Sequence, residues 1–228
     1  MIDNLYFDIG SRFGINSPKL LITSAKAGNF RDDEFARNRI LTNLGISNCR
    51  FALARQEHTK TVIDEREFDS IKGPFDGIIS GGRPVAVTAA DCMPIFIIAL
   101  NQKTGCVLHS GWKGTGILKN ALDILISNCG IKAEDLIVVF GPHIRSCCYR
   151  VDEKRALLFA REWGEDSVER RGSIPYLNMA SANKKIAQAA GVRGIFDNGD
   201  CSCCDSRYGS FRRQGQGFTK MGAILGFF

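Results

Sequence analysis

The spacing of apolar and polar positions divides the chain into short strands and amphipathic helices. Residues 31–44 place Phe35, Ile40, Leu41 and Leu44 on one face, with Asp32 as N-cap and Gly45 as the stop, which predicts a helix from Arg31 to Leu44. Helical spacing recurs over Thr115–Asn128, through Ile117, Leu118, Ala121, Leu122 and Leu125. Two more helices are expected, one from an Asp152 N-cap to about Trp163 and one over Asn178–Ala190, closed by Gly191. Strands are predicted for Phe51–Gln56, Cys106–His109 and Leu136–Phe140. The apolar stretch Val85–Leu100, broken at Ala89-Ala90-Asp91-Cys92, predicts a buried strand pair or a bent strand. Residues 200–217, rich in Cys, Arg and Gly, read as ordered loop. Helices and strands mix without strict alternation, so the expected class is α+β. With no repeat and no Pro/Gly/Ser linker, residues 1–228 are expected to form a single domain.

Composition narrows the function classes. A length of 228 residues supports a sizeable core, and no apolar run is long enough to span a bilayer. Acidic residues in Met1–Gly14 and the lack of a basic n-region argue against a secretory signal, so a cytoplasmic location is expected. The net charge of +6 suits phosphate-bearing ligands, but aromatic residues do not interleave with basic clusters, so no nucleic-acid surface is expected. The nine cysteines are then expected to be reduced. Cys49, Cys106 and Cys129 sit in apolar or element-terminal settings and are expected to pack as small hydrophobes. Cys147-Cys148 and Cys201, Cys203 and Cys204 could form a second metal site. Because adjacent cysteines are poor chelators of one tetrahedral ion, a structural role is expected for them.

Three histidines exist, His58, His109 and His143. His58 and His109 fall at the ends of predicted strands, and Cys92 follows Asp91 in the polar break of an apolar segment. Two His and one Cys can hold a catalytic zinc with a position left open, although the spacing is not that of a zinc finger. Taken alone, the same residues fit satisfied core histidines and a buried thiol, or a cysteine hydrolase with Cys92 as nucleophile and His109 as base. No P-loop, dinucleotide fingerprint, nucleophile elbow or zinc-deaminase signature occurs.

Four segments carry a resemblance when taken together: Gln56-Glu57-His58; Thr88-Ala89-Ala90-Asp91-Cys92-Met93-Pro94; His109-Ser110-Gly111-Trp112-Lys113-Gly114-Thr115; and Gly141-Pro142-His143-Ile144 with Cys147-Cys148-Tyr149. Arg212-Arg213 adds a fifth. The chain resembles the YfiH-type family, long labelled multicopper polyphenol oxidases or laccase-domain proteins and now described as zinc-dependent purine nucleoside phosphorylases with adenosine deaminase activity. The resemblance implies a four-layer α/β/β/α sandwich with mixed sheets, and zinc on His58, Cys92 and His109. It also implies a purine nucleoside and phosphate as substrates. Lys113, Arg39, Arg212 and Arg213 become candidates for the phosphate, and Asp91 for a group supporting the metal or acting as base. The older label implies copper and phenol oxidation, but one Cys and three His are too few for a multicopper centre. Thr59 stands where the family usually has glycine, and Arg145 and Arg150 intrude in the Gly-Pro segment.

Overall fold

A computed structural model describes residues 5–46 and 51–228; the expected packing role of Cys49 lies outside them. Two mixed sheets carry the fold. The first joins β1 (Tyr6–Asp8), β2 (Lys19–Thr23), β3 (Ala52–Leu53), β6 (Val85–Ala89) and β13 (Met221–Gly226) in the order β1-β2-β13-β6-β3. The second joins β4 (Val62–Asp64), β5 (Gly77–Ser80), β7 (Met93–Ala99), β8 (Gly105–Ser110), β9 (Leu136–Phe140) and β12 (Gly194–Asp197) in the order β12-β9-β7-β8-β5-β4. A separate hairpin pairs β10 (Val168–Arg171) with β11 (Ile174–Leu177). The helices are α1 (Glu34–Asn43), α2 (Ile117–Asp123), α3 (Glu153–Trp163), α4 (Met179–Ala189) and the short α5 (Phe211–Gln214).

The strand sequences explain the layering. Along β7, Met93, Ile95, Ile97 and Ala99 pack toward α2 and α4, while Phe96 and Ile98 pack toward the other sheet. In β13, Met221, Ala223 and Leu225 enter the inter-sheet core and Ile224 turns to α1. Period-two alternation is present, but both faces are buried, so these strands read as unbroken apolar runs. Three cores result: α1 against the five-stranded sheet, sheet against sheet, and the six-stranded sheet against α2 and α4. This packing is consistent with the expected α/β/β/α layers. Among the described residues, no helix is long and apolar enough to cross a membrane.

Local chemistry accounts for the helix ends. Asp152 and Asn178 accept from the backbone N–H groups of Arg155 and Ser181 and cap α3 and α4 as expected. At α1 the cap is Asp33, which accepts from Ala36, whereas Asp32 pairs with Lys220 at 2.9 Å. Phe35, expected on the buried face, is 81% exposed. The face that meets the sheet is Ala36, Ile40 and Leu41, and five residues of helical turn carry Phe35 away from Ile40. The helix expected over Thr115–Asn128 runs as α2 and then widens to one π turn over Ile124–Asn128. Val85–Leu100 is not a strand pair: β6 and β7 belong to different sheets, and Ala90-Asp91-Cys92 crosses between them.

Phe96 has no solvent exposure and fills the space between the sheets. Phe96→Ala is expected to cost about 3–5 kcal/mol of unfolding free energy, whereas Phe35→Ala should stay within about 0.5 kcal/mol. Urea denaturation of both variants checks this; equal midpoints would contradict the layer assignment.

Candidate active site and metal centre

Three segments converge where the sheets meet. His58 lies in the loop after β3, Cys92 in the crossover from β6 to β7, and His109 near the end of β8. Their ligand atoms all lie within 4.8 Å of one another. Cys92 Sγ is 3.6 Å from His58 Nε2, and the two imidazole rings are 4.9 Å apart at 64°. A tetrahedral ion at about 2.3 Å from sulfur and about 2.0 Å from nitrogen sets those donors about 3.5 Å apart, so this donor set fits such an ion. Gly111 leaves the room: a Cβ there would come within 2.9 Å of Cys92 Sγ and 3.1 Å of His58 Cδ2.

A buried carboxylate that the sequence reading did not single out organises both histidines. Asp76 is fully buried, just before β5. Its Oδ1 accepts from His109 Nδ1 at 2.7 Å and from the His58 backbone N–H at 3.1 Å. Its Oδ2 accepts from the backbone N–H groups of Glu57 and Thr59 and from the Thr59 hydroxyl. Its backbone carbonyl accepts from His109 N–H at 2.7 Å. With Nδ1 donating to Asp76, His109 presents Nε2 to Cys92 and the cavity, the arrangement that orients a ligating imidazole. Burial opposes ionisation of Asp76, but the bonds from His109 and Thr59 outweigh it and hold the carboxyl below its ordinary range.

Backbone strain and a side-chain clip complete the frame. His58 and Asp91 are the two non-glycine residues with positive φ among the described residues, at 60° and 82°. Such conformations cost about 1–3 kcal/mol each and persist where surroundings enforce them. Gln56 does so for the first loop: its amide accepts from Thr88 N–H at 2.7 Å and donates to Thr88 O at 2.7 Å, tying the His58 loop to β6. For the crossover, Asp91 accepts from Ser202 Oγ at 2.8 Å and from Arg212 N–H at 2.6 Å. Both oxygens of this candidate base are thus engaged by the segment 202–212.

Cys92 and His109 favour each other's charged forms. Burial pushes the Cys92 thiol up, but His109 and His58 beside it bring it down to about 6. Burial pushes His109 down, and Cys92 and Asp76 raise it to about 9. His143, the third histidine, is buried elsewhere; burial lowers it to about 4, and its Nδ1 donates to Gly141 O.

The centre forms the floor of a cavity of about 520 Å³. Trp112, Tyr149, Phe211 and Phe218 supply aromatic wall, and Arg31, Arg155, Arg212 and Lys220 supply positive charge. Of the four cations expected for phosphate, only Arg212 lines the cavity. Lys113 is exposed over Trp112 at 5.7 Å from its ring. Arg39 donates to Ala27 O. Arg213 donates to the carbonyls of Ser202, Cys203, Asp205 and Tyr208, which consumes its guanidinium. Arg31, Arg155 and Lys220 had no motif to mark them; only the fold turns them inward.

The family model described as multi-copper polyphenol oxidoreductase laccase matches residues 31–227. The chain belongs to this family. A purine nucleoside phosphorylase of Borreliella burgdorferi is 32% identical, over 92% of this chain and 91% of its own length. Purine nucleoside phosphorylase LACC1 of Mus musculus is 29% identical over 82% of this chain, which spans 46% of the mouse protein, about half its length. The crystal structure of Bacillus licheniformis hypothetical protein YfiH superposes with a TM-score of 0.88 at 22% identity, covering 100% of this chain and 98% of that one, which establishes the shared fold. Within this laccase family chain, the described residues offer two His/Cys groups able to hold a metal: His58, Cys92 and His109, and a second group of four cysteines.

Asp76→Asn is expected to lower metal affinity at this centre about 10–100-fold and to cost about 1–3 kcal/mol of stability. Chelator competition measures the first and urea denaturation the second. An affinity equal to that of the unsubstituted chain would show that His109 is oriented without the carboxylate.

Proposed function

We propose that the chain is a zinc-dependent purine nucleoside phosphorylase, cleaving inosine, adenosine or methylthioadenosine with phosphate, and that the same cavity deaminates adenosine. The observation that carries this reading is the convergence of His58, Cys92 and His109 on the floor of a cavity with aromatic and cationic walls. The relatives named as purine nucleoside phosphorylases support it. Zinc fits better than copper oxidation chemistry, because one thiolate and two imidazoles meet here and His143 is buried with its Nδ1 on a backbone carbonyl. Held by His58, Cys92 and His109, zinc supplies a Lewis acid beside the substrate.

The chain's own groups then account for the rest. In phosphorolysis a phosphate oxygen bonds to C1′ as the bond from C1′ to the purine nitrogen breaks, its electron pair leaving with the base, which takes up a proton. Positive charge develops on the sugar, and the nucleophile is an anion. Arg155, Arg212 and Arg31 hold phosphate in place, while Lys220 lines the same wall paired with Asp32. Arg212 is preorganised: two of its nitrogens are fixed on the carbonyls of Cys148 and Arg150. Trp112, Phe211 and Phe218 offer faces and edges for a purine. Burial raises the Tyr149 phenol, so it stays neutral and can donate a hydrogen bond to the ribose or base. Asp76 keeps His109 in one tautomer throughout, through its bond to Nδ1.

A second reading rests on a specific observation. Cys92, His109 and Asp76 stand in the order thiol, imidazole, carboxylate, the arrangement of a cysteine hydrolase. The two separate cleanly: a hydrolase works after chelation and dies on alkylation, whereas the phosphorylase needs its zinc.

The purified zinc form is expected to convert inosine to hypoxanthine and ribose 1-phosphate only when phosphate is present. No hypoxanthine and no ribose 1-phosphate, together with unchanged adenosine, would end the nucleoside reading; base release that ignores phosphate would end the phosphorylase reading. Cys92→Ala should lose zinc and activity together. Arg155→Ala should raise the KM for phosphate about tenfold, equivalent to about 1.4 kcal/mol, while Lys113→Ala should leave it within about twofold. Steady-state kinetics at varied phosphate measure both; the reverse order would move the phosphate to the outer face of Trp112.

A further inference from the structure

Two loops far apart in sequence meet at a second cluster of thiols. Strands β9 and β12 are parallel neighbours, with Phe140 opposite Asp197, so the chain leaves both at the same edge of the sheet. The loops stay together: Ser202 N–H donates to His143 O at 3.0 Å, and Arg145 donates two parallel hydrogen bonds to the Asp197 carboxylate at 2.8 and 2.9 Å. Their cysteines therefore face one another. The sulfurs of Cys147, Cys148, Cys201 and Cys204 all lie within 4.8 Å of one another, with Cys204 at 3.6 Å from Cys147 and 3.3 Å from Cys148.

We propose that Cys147, Cys148, Cys201 and Cys204 bind a second zinc ion as a tetrathiolate site, one that fixes the wall of the active-site cavity. Four sulfurs about 2.3 Å from one tetrahedral ion lie about 3.8 Å apart, close to the spacings found. Adjacency of Cys147 and Cys148, the reason to expect poor chelation, is overcome by a tight turn: the N–H groups of Cys148 and Tyr149 both donate to Arg145 O at 2.9 Å. The other pair, Cys201-Ser202-Cys203-Cys204, has the two-residue separation usual in structural zinc sites. Cys203 is not one of the four grouped thiols and, like Cys148, packs against the helix-side core.

Charge supports the assignment independently. Binding releases four thiol protons to solvent and leaves a complex of charge −2, with no change of oxidation state. Three arginines surround it, each donating to carbonyls of the cysteine loops: Arg171 to Ser146 and Cys147, Arg212 to Cys148, and Arg213 to Ser202 and Cys203. Arg171 also meets Glu169 at 3.7 Å; a zinc tetrathiolate adds, among these guanidinium groups, negative charge that four neutral thiols do not carry.

The site also reaches the cavity. Tyr149 follows Cys148 directly, Arg212 hangs on Cys148 O, and Ser202 holds Asp91 beside Cys92. The second zinc thus acts as a staple behind the wall that carries Tyr149 and Arg212.

Elemental analysis of the full chain, purified under reducing conditions and dialysed free of loose metal, tests this. The unsubstituted chain should hold two zinc ions. Cys147→Ser/Cys204→Ser should hold one fewer, and His58→Ala/Cys92→Ala/His109→Ala should keep one whose X-ray absorption shows only sulfur at about 2.3 Å. Unchanged zinc in the Cys147→Ser/Cys204→Ser variant would overturn the proposal. So would nitrogen or oxygen in the shell of the other variant, or a Cys148–Cys204 disulfide in the unsubstituted chain. Failure of the His58, Cys92 and His109 centre looks different: a single zinc that its triple variant keeps and the cysteine double variant loses. Should that triple variant not fold, the sulfur shell of the unsubstituted chain decides. Two centres average more than two sulfurs per zinc, and the first centre alone has one.

Discussion

The Asp76 carboxylate, fully buried at the junction of the two sheets, is the constraint on which the site depends. An isolated buried carboxylate would cost several kcal/mol, so its oxygens must be saturated. The loop of residues 57–59 meets that demand by turning its backbone N–H groups inward, and this forces His58 into a positive-φ conformation. His109 meets the rest through Nδ1. One buried charge therefore dictates the backbone of one candidate ligand and the tautomer of another. Thr59 strengthens the arrangement, because its hydroxyl gives Asp76 a bond that glycine at this position could not.

Much of this was legible from residue patterns, and the gaps have physical causes. Asp152 and Asn178 sit before amphipathic runs, and both cap helices as their short polar side chains suggest. Strand β9 announced itself as a continuous apolar run because it is interior to its sheet and covered on both faces. The same property hid the sheet change at Asp91: two fully buried strands look alike whether or not they pair. Asp76 was missed because Phe75-Asp76-Gly77 reads as an ordinary turn, and nothing local says that its partners come from residues 57–59 and 109. The candidate ligands emerged only through motif resemblance, since their spacing is unlike that of any compact chelate.

Cations illustrate a different limit. Arg212 and Arg213 are adjacent, yet Arg212 reaches the cavity and Arg213 is spent on four backbone carbonyls. Sequence proximity to a motif is a poor guide here, because α5 is a single short turn that sends neighbouring side chains to opposite sides. Arg31, Arg155 and Lys220 arrive from a loop before α1, the first turn of α3 and the approach to β13. Their convergence is a property of the layers and of no local pattern.

The centre's dependence on both sheets has a mechanical consequence. Cys92 lies in the three-residue crossover between them, and Asp91 makes that crossover by adopting φ 82°. The strained conformation is held by Ser202 and by the Arg212 backbone, both from the far side of the cavity wall. His109, by contrast, is fixed by Asp76 within the six-stranded sheet. A shift of the segment 201–212 would therefore move Cys92 relative to His109 without touching either side chain. Anchoring that segment is as much a requirement of the His58, Cys92 and His109 geometry as the carboxylate is. The two cysteine pairs stand where such an anchor is needed, one on each of the loops that must not separate.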